Sequence, residues 1–110
     1  MALTNIFDSV PRMGNAELTE ALAALAGAHE VRVERIVSFG ARAPAEGVFA
    51  QEWTEVAVLL RGGATLVLEN PREVHRMTAG DFVVIAPGRR HAVEETSSLP
   101  PAVWLAIHVK

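Results

Sequence analysis

Glu55–Gly62, EVAVLLRG, and Gly80–His91, GDFVVIAPGRRH, decide the fold of this chain. Each is a run of branched apolar residues, the kind that packs well on a pleated, buried surface, and each is bounded by glycine. Each also carries one side chain able to ligate a metal, Glu55 or His91. If the two strands lie side by side in a small barrel, a carboxylate and an imidazole share one interior. Such an interior holds a metal ion or is the remnant of a site that did.

Outward from these two stretches, the hydrophobic period is two. Val31 and Val33 alternate with Glu30, Arg32 and Glu34, as in a half-buried strand. Further strand-like runs are Gly47–Gln51, Thr54–Arg61, Ala64–Glu69, Arg72–Met77, Asp81–Ala86, Arg89–Glu95 and Ala102–Val109. Gly62-Gly63 reads as a two-residue hairpin turn, because both residues accept positive φ without penalty. Asn70-Pro71 is a turn signal, and Pro87-Gly88 suits the central positions of a type II turn. Ser97–Pro101, SSLPP, is a surface loop before the last strand. Short strands at this spacing predict an all-β chain, an antiparallel sandwich or barrel.

Residues 1–29 differ. Leu18, Leu22 and Leu25 recur at helical spacing among alanines, with Asn15 as a cap, Glu17 in the first turn and Gly27 as a stop. An N-terminal arm and short helix over 1–29 are expected to pack on the outside of a barrel formed by 30–110.

Composition narrows the function classes. The chain has 110 residues, enough for one domain and one core. Half its residues are hydrophobic, yet no apolar run approaches the ~20 that a membrane span needs. The N-terminus lacks the basic start and apolar block of a secretory signal. There is no cysteine, so disulfides and thiolate metal sites are excluded, and a cytoplasmic location is expected. A net charge of −3 with scattered arginines and a lone lysine, Lys110, argues against nucleic acid as a partner, and no membrane partner is expected. No nucleophile–base pair and no phosphate-cradling glycine loop stands out, since Gly62-Gly63 opens no helix.

Residues from about 30 to 109 resemble the small single-domain cupins, the double-stranded β-helix or jelly-roll barrel. Cupins share two motifs: Gly, five residues, His-x-His, three or four residues, Glu, six residues, Gly; and Gly, five residues, Pro-x-Gly, two residues, His, three residues, Asn. Glu55, VAVLLR and Gly62 match the end of the first. Gly80, Gly88 and His91 match the second in register, with Ala86 where proline is usual, Pro87 one place late and Glu95 in place of the final Asn. The two histidine positions of the first motif fall on Val48 and Ala50, or on Phe49 and Gln51. Only Glu55 and His91 therefore transfer from the three-His, one-Glu set. The chain also resembles a subgroup of short cupins with a glutamine before the Glu strand and an ending like WLAIH, in which Gln51 supplies a carboxamide oxygen.

The candidate metal ligands are thus Glu55, His91, Gln51 and His108. Imidazole suits zinc, nickel or iron, and carboxylate and amide oxygens suit harder ions such as manganese. Alternation puts His108 on the face of Trp104 and Ala106; if that face is inner, two histidines and a carboxylate converge. The plainer readings are a solvated Glu55, a loop Gln51 and a hydrogen-bonded strand His108. His75 and His29 are expected to be exposed without partners, and Arg89 and Arg90 to keep a barrel rim soluble. Phe49 and Trp104 are candidate walls of a small apolar pocket. The resemblance implies a divalent metal ion and a small-molecule ligand, in an enzyme of dioxygenase, isomerase or decarboxylase type. The alternative is a metal-free binding module. Pairing into a homodimer is expected through the Val31–Phe39 strand, long and apolar on one face.

Overall fold

The computed structural model describes residues 4–5, 27–28 and 30–110. Their strands are β1 (Thr4–Asn5), β2 (Val31–Ser38), β3 (Thr54–Arg61), β4 (Gly63–Leu68), β5 (Glu73–Thr78), β6 (Asp81–Ile85), β7 (His91–Thr96) and β8 (Ala102–Val109). They form a five-stranded sheet in the order β1-β6-β3-β8-β2 and a three-stranded sheet in the order β5-β4-β7. Every neighbouring pair is antiparallel. The short N-terminal helix expected before Gly27 lies outside the described residues, as does His29.

Alternation along each strand sends one face inward. From the large sheet come Ala57, Leu59, Val83, Ile85, Ala102 and Trp104; from the small sheet, Ala64, Leu66, Leu68 and Met77. These form one cluster, so the sheets close face to face as a jelly roll. Full burial of a side chain such as Leu59, Leu68 or Ile85 contributes about 1.5–3 kcal/mol. The outer face of the large sheet carries a second cluster, Val56, Val58, Phe82, Ile107 and Val109, against which Ala28 packs.

Three of the crossings between the sheets fall at glycines. Gly62 lies between β3 and β4, Gly80 between β5 and β6, and Gly88 between β6 and β7; their φ angles are 82°, 93° and 78°. Gly62-Gly63 is therefore not the hairpin turn expected from the sequence. β3 and β4 belong to different sheets and only Gly62 has positive φ. A strand, two glycines and a strand look the same in sequence whether the second strand pairs beside the first or faces it. A Cβ on Gly62 would sit 2.5 Å from Ser97 Oγ and 2.7 Å from the Pro101 carbonyl oxygen. Ser97 Oγ in turn accepts from the Gly63 amide at 2.9 Å and donates to the Pro100 carbonyl at 2.7 Å, tying the corner to the loop before β8.

Two other turn expectations hold. Asn70, φ 60°, turns the β4–β5 hairpin. Ala86–Arg89 closes with an Arg89 amide to Ala86 carbonyl bond of 3.1 Å, with Gly88 at the position where a type II turn needs positive φ. The expected Gly47–Gln51 strand is reduced to a single bridge. Residues 39–53 run along the edge of the small sheet and form β-bridges to β7 at Ala43↔Val93 and Phe49↔His91.

Candidate metal centre

β3, β8 and β2 lie side by side in register. Glu55 stands opposite His108, and His108 opposite Arg32; on the other flank Glu55 stands opposite Ile85. Residues directly across an antiparallel pair have Cβ atoms ~5 Å apart on one face. A polar row of Arg32, His108 and Glu55 thus crosses the inner face of the large sheet. The next row inward on that face is Glu34, Ala106, Ala57 and Val83, and the one after it Ile36, Trp104 and Leu59.

His91 comes from the opposite sheet as the first residue of β7. The Ala86–Arg89 turn delivers it, and Arg89 pins that turn. The Arg89 guanidinium donates to the Glu69 carbonyl at 2.6 Å and the Pro71 carbonyl at 2.8 Å, and lies 3.6 Å from the Glu73 carboxylate. Arg89 is therefore a clamp between β4, β5 and the turn, not a solvated rim residue. Arg90 does lie at the surface, 3.2 Å from Glu69.

The His91 ring is buried, 4% exposed. Its Nδ1 lies 2.8 Å from the Arg89 carbonyl oxygen. That oxygen only accepts, so Nδ1 carries a proton and Nε2 faces the cavity with its lone pair available. Nε2 is 3.7 Å from Glu55 Oε1. That gap is too long for a hydrogen bond. It lies within a few tenths of an ångström of the ~3.4 Å between two donors that share a tetrahedral ion at ~2.1 Å each.

Gln51 completes the cluster. Its Nε2 donates to Glu55 Oε1 at 2.6 Å, while its backbone carbonyl accepts from the Gly88 amide at 2.7 Å. The glutamine before the Glu strand is thus anchored to the turn that presents His91, and its amide nitrogen, rather than its oxygen, faces the carboxylate. Phe49 flanks the imidazole, ring centroids 5.5 Å apart, because the Phe49↔His91 bridge fixes both backbones.

The electrostatics favour a charged pair. Burial pushes the Glu55 carboxyl up, but the His91 ring, the Gln51 amide and the charge of His108 together bring it below its ordinary value. Burial likewise pushes the His91 imidazole down, and the Glu55 carboxylate and the Arg89 carbonyl bring it above its ordinary value. A positive charge between Nε2 and the carboxylate, proton or metal, is what this geometry stabilises.

These groups sit in a cavity of about 310 Å³ that also exposes His108, Arg32, Trp104 and Phe49. The structure therefore brings Glu55, His91, Gln51 and His108 to one cavity. Among the described residues no group of three or more His, Cys, Asp or Glu side chains is close enough to hold a metal ion, so Glu55 and His91 form the tight pair and His108 stands one strand away. His75 is not the partnerless surface residue expected; its Nε2 is 3.1 Å from Glu73. Sequence reading missed three features: the Arg89 carbonyl that fixes the tautomer, the Arg32 that extends the polar row, and the alanine floor. The register of β2 against β8 would have signalled the second; a backbone carbonyl and two strand alanines carry no pattern.

Residues 36–108 match the family model of the cupin domain. A Ralstonia eutropha JMP134 structure provisionally named mannose-6-phosphate isomerase aligns over 73% of this chain and 74% of its own, at 29% identity and a TM-score of 0.68. A cupin protein from Bacteroides fragilis covers 99% of this chain and 76% of its own, at 22% identity and a TM-score of 0.56. Bacillus subtilis oxalate decarboxylase, described for its Mn(II) centres, shares the fold over 81% of this chain and 23% of its own, at 14% identity and a TM-score of 0.62. No curated protein matches the chain in sequence. Two glycine-cornered sheets, the Glu55 and His91 motif positions and the matched span agree: the chain belongs to the cupin family.

Proposed function

We propose that this cupin binds a divalent metal ion between Glu55 and His91, with Gln51 and His108 completing or supporting the site, and acts on a small molecule held in the same cavity. The observation that carries this reading is the pair of electron donors turned toward each other, Nε2 and Oε1, 3.7 Å apart at the end of a cavity. The Arg89 carbonyl holds His91 in the tautomer a ligand needs. With at most four protein donors, positions stay open for water or substrate, as in catalytic sites. A bound divalent ion supplies Lewis-acid polarisation of a substrate oxygen. Phe49 and Trp104 wall the cavity. The reaction class is dioxygenase, isomerase or decarboxylase type. Equilibrium dialysis against zinc, nickel, iron and manganese, followed by elemental analysis, tests it. About one equivalent of one of them is expected, and less than about a tenth refutes the reading.

A metal-free ligand-binding module is the second reading, favoured by the missing His-x-His and by the two-residue size of the tight cluster. It requires the melting temperature to ignore chelators. The small-molecule cavity suits either reading.

A homodimer through β2 is also proposed. β2 is an edge strand of the large sheet, and Val31, Val33 and Val37, with Phe39 just after it, are exposed along one face. Such an edge is an invitation to a second strand. Sedimentation at high micromolar concentration checks it, and a strict monomer contradicts it. Among the described residues no helix is long and apolar enough to cross a membrane, and a cytoplasmic setting fits the absence of cysteine.

A further inference from the structure

The cavity has two chemically different ends, and strand register fixes which is which. Arg32, His108 and Glu55 share one row across the large sheet; two residues along each strand, the row is Glu34, Ala106 and Ala57; two further, it is Ile36 and Trp104. Rows on one face are ~6.7 Å apart, so Trp104 lies ~13 Å from the polar row by Cα position. The two alanines between leave the volume that larger strand residues would fill. Across the cavity, Leu66 and Val93 of the small sheet are apolar as well. Beyond the polar row only Glu34 and Ser38, both on the edge strand β2, interrupt the apolar lining.

We infer that the ligand is a small organic acid with a flat apolar body: the acid oxygens at the Glu55–His91 end, and a body the size of one aromatic ring over Ala57 and Ala106, reaching toward Ile36 and Trp104. This rests in part on the proposed divalent centre, which would bring two positive charges against the single negative charge of Glu55 and so favour an anionic donor. Arg32, on the same row, is 3.8 Å from Glu34 and lies over the Trp53 ring, so these two charges offset and leave that balance as it stands. The remaining wall argues for the body. A sugar hydroxyl placed against Leu66, Val93 or Trp104 would lose its hydrogen bonds to water and gain none. The cavity, about 310 Å³, lies at the small end of the range that takes a small organic molecule.

Calorimetric titration of the full chain with three probes tests this: phenylpyruvate, pyruvate and mannose 6-phosphate, each with Mn(II) and again with excess chelator. Phenylpyruvate shares its head with pyruvate and differs in the ring. It is expected to bind at least ~10-fold more tightly than pyruvate, the usual worth of one added apolar group in a fitted pocket, and more tightly than the sugar phosphate. Ala57→Val, which narrows the floor, is expected to shrink the phenylpyruvate-to-pyruvate ratio. The probe comparison on the unaltered chain stands even if that variant folds poorly. Equal affinities for the two acids, tighter binding of mannose 6-phosphate, or no binding of phenylpyruvate at millimolar concentration overturns the inference. If phenylpyruvate keeps its preference and binds as tightly under chelator as with Mn(II), the apolar-acid inference stands and the metal reading falls. If Mn(II) binds at about one equivalent without any preference among the acids, the reverse holds.

Discussion

The two ends of the barrel are built on opposite terms. At the Gly62 end the packed groups hold the chain: Leu59 and Ala102 are wholly buried, Ser97 both accepts and donates, and there is no room for a Cβ at Gly62. At the Glu55 end a carboxylate and an imidazole lie in the cavity with a gap between them that neither fills. Buried charge of this kind is a costly way to gain stability, because desolvation offsets most of the attraction. The contrast assigns stability to one end and chemistry to the other.

The assignment is breakable from both sides. Leu59→Ala, at the tight end, is expected to cost about 3 kcal/mol of unfolding free energy, from lost burial and the cavity left behind. Urea denaturation measures it, and metal uptake by the folded fraction should be retained. Gly62→Ala should cost about 2 kcal/mol, since alanine there is strained at φ 82° and crowds Ser97 and Pro101. A Gly62→Ala variant as stable as the parent would contradict the account of the sheet-crossing corner. At the open end the pattern inverts. Gln51→Ala removes the amide that holds Glu55 and is expected to weaken metal affinity ~10-fold to 100-fold in a competition assay, with a much smaller loss of stability. If stability and affinity fell together, the two ends would not be separable.

The smallest effect is a pH dependence of the metal-free protein. The raised His91 value contributes stability below the ordinary imidazole value of 6.5 that is lost as pH climbs through its folded-state value. The lowered Glu55 value contributes stability above 4.5 that is lost as pH falls through its own. The pair therefore helps most between 4.5 and 6.5. Chemical denaturation of the parent and of His91→Gln, with chelator present, should show their difference shrinking as pH rises above that window. A difference that grows with pH would mean His91 is neutral in the metal-free fold.

Much of the stable end was legible in sequence, and the reason is periodic. β3 and β8 begin and end where alternation placed them, because branched residues every second position leave no other way to bury one face. Pro87-Gly88 was legible because its turn has one demanding position and Gly88 occupies it. The sheet-crossing at Gly62 was misread as a hairpin, since local sequence encodes the bend but not the partner of the strand that follows. Residues 47–51 were misread as a strand for the complementary reason: their apolar pattern was sound, but only Phe49 forms a β-bridge. In the candidate site, motif spacing found Glu55 and His91, and alternation placed His108 on the face of Trp104. Spacing could not find the surroundings of these side chains. The carbonyl of Arg89 selects the His91 tautomer, and Ala57 and Ala106 leave the cavity its room by what they lack.

Crystals grown with manganese or zinc, and diffraction data collected at the absorption edge of the added ion, decide whether the gap between Glu55 and His91 holds a metal. The account predicts one anomalous peak in the cavity, about 2.0–2.2 Å from His91 Nε2 and from a Glu55 carboxylate oxygen. An occupied ion elsewhere on the chain, or an empty gap between these two atoms at saturating metal, would contradict it.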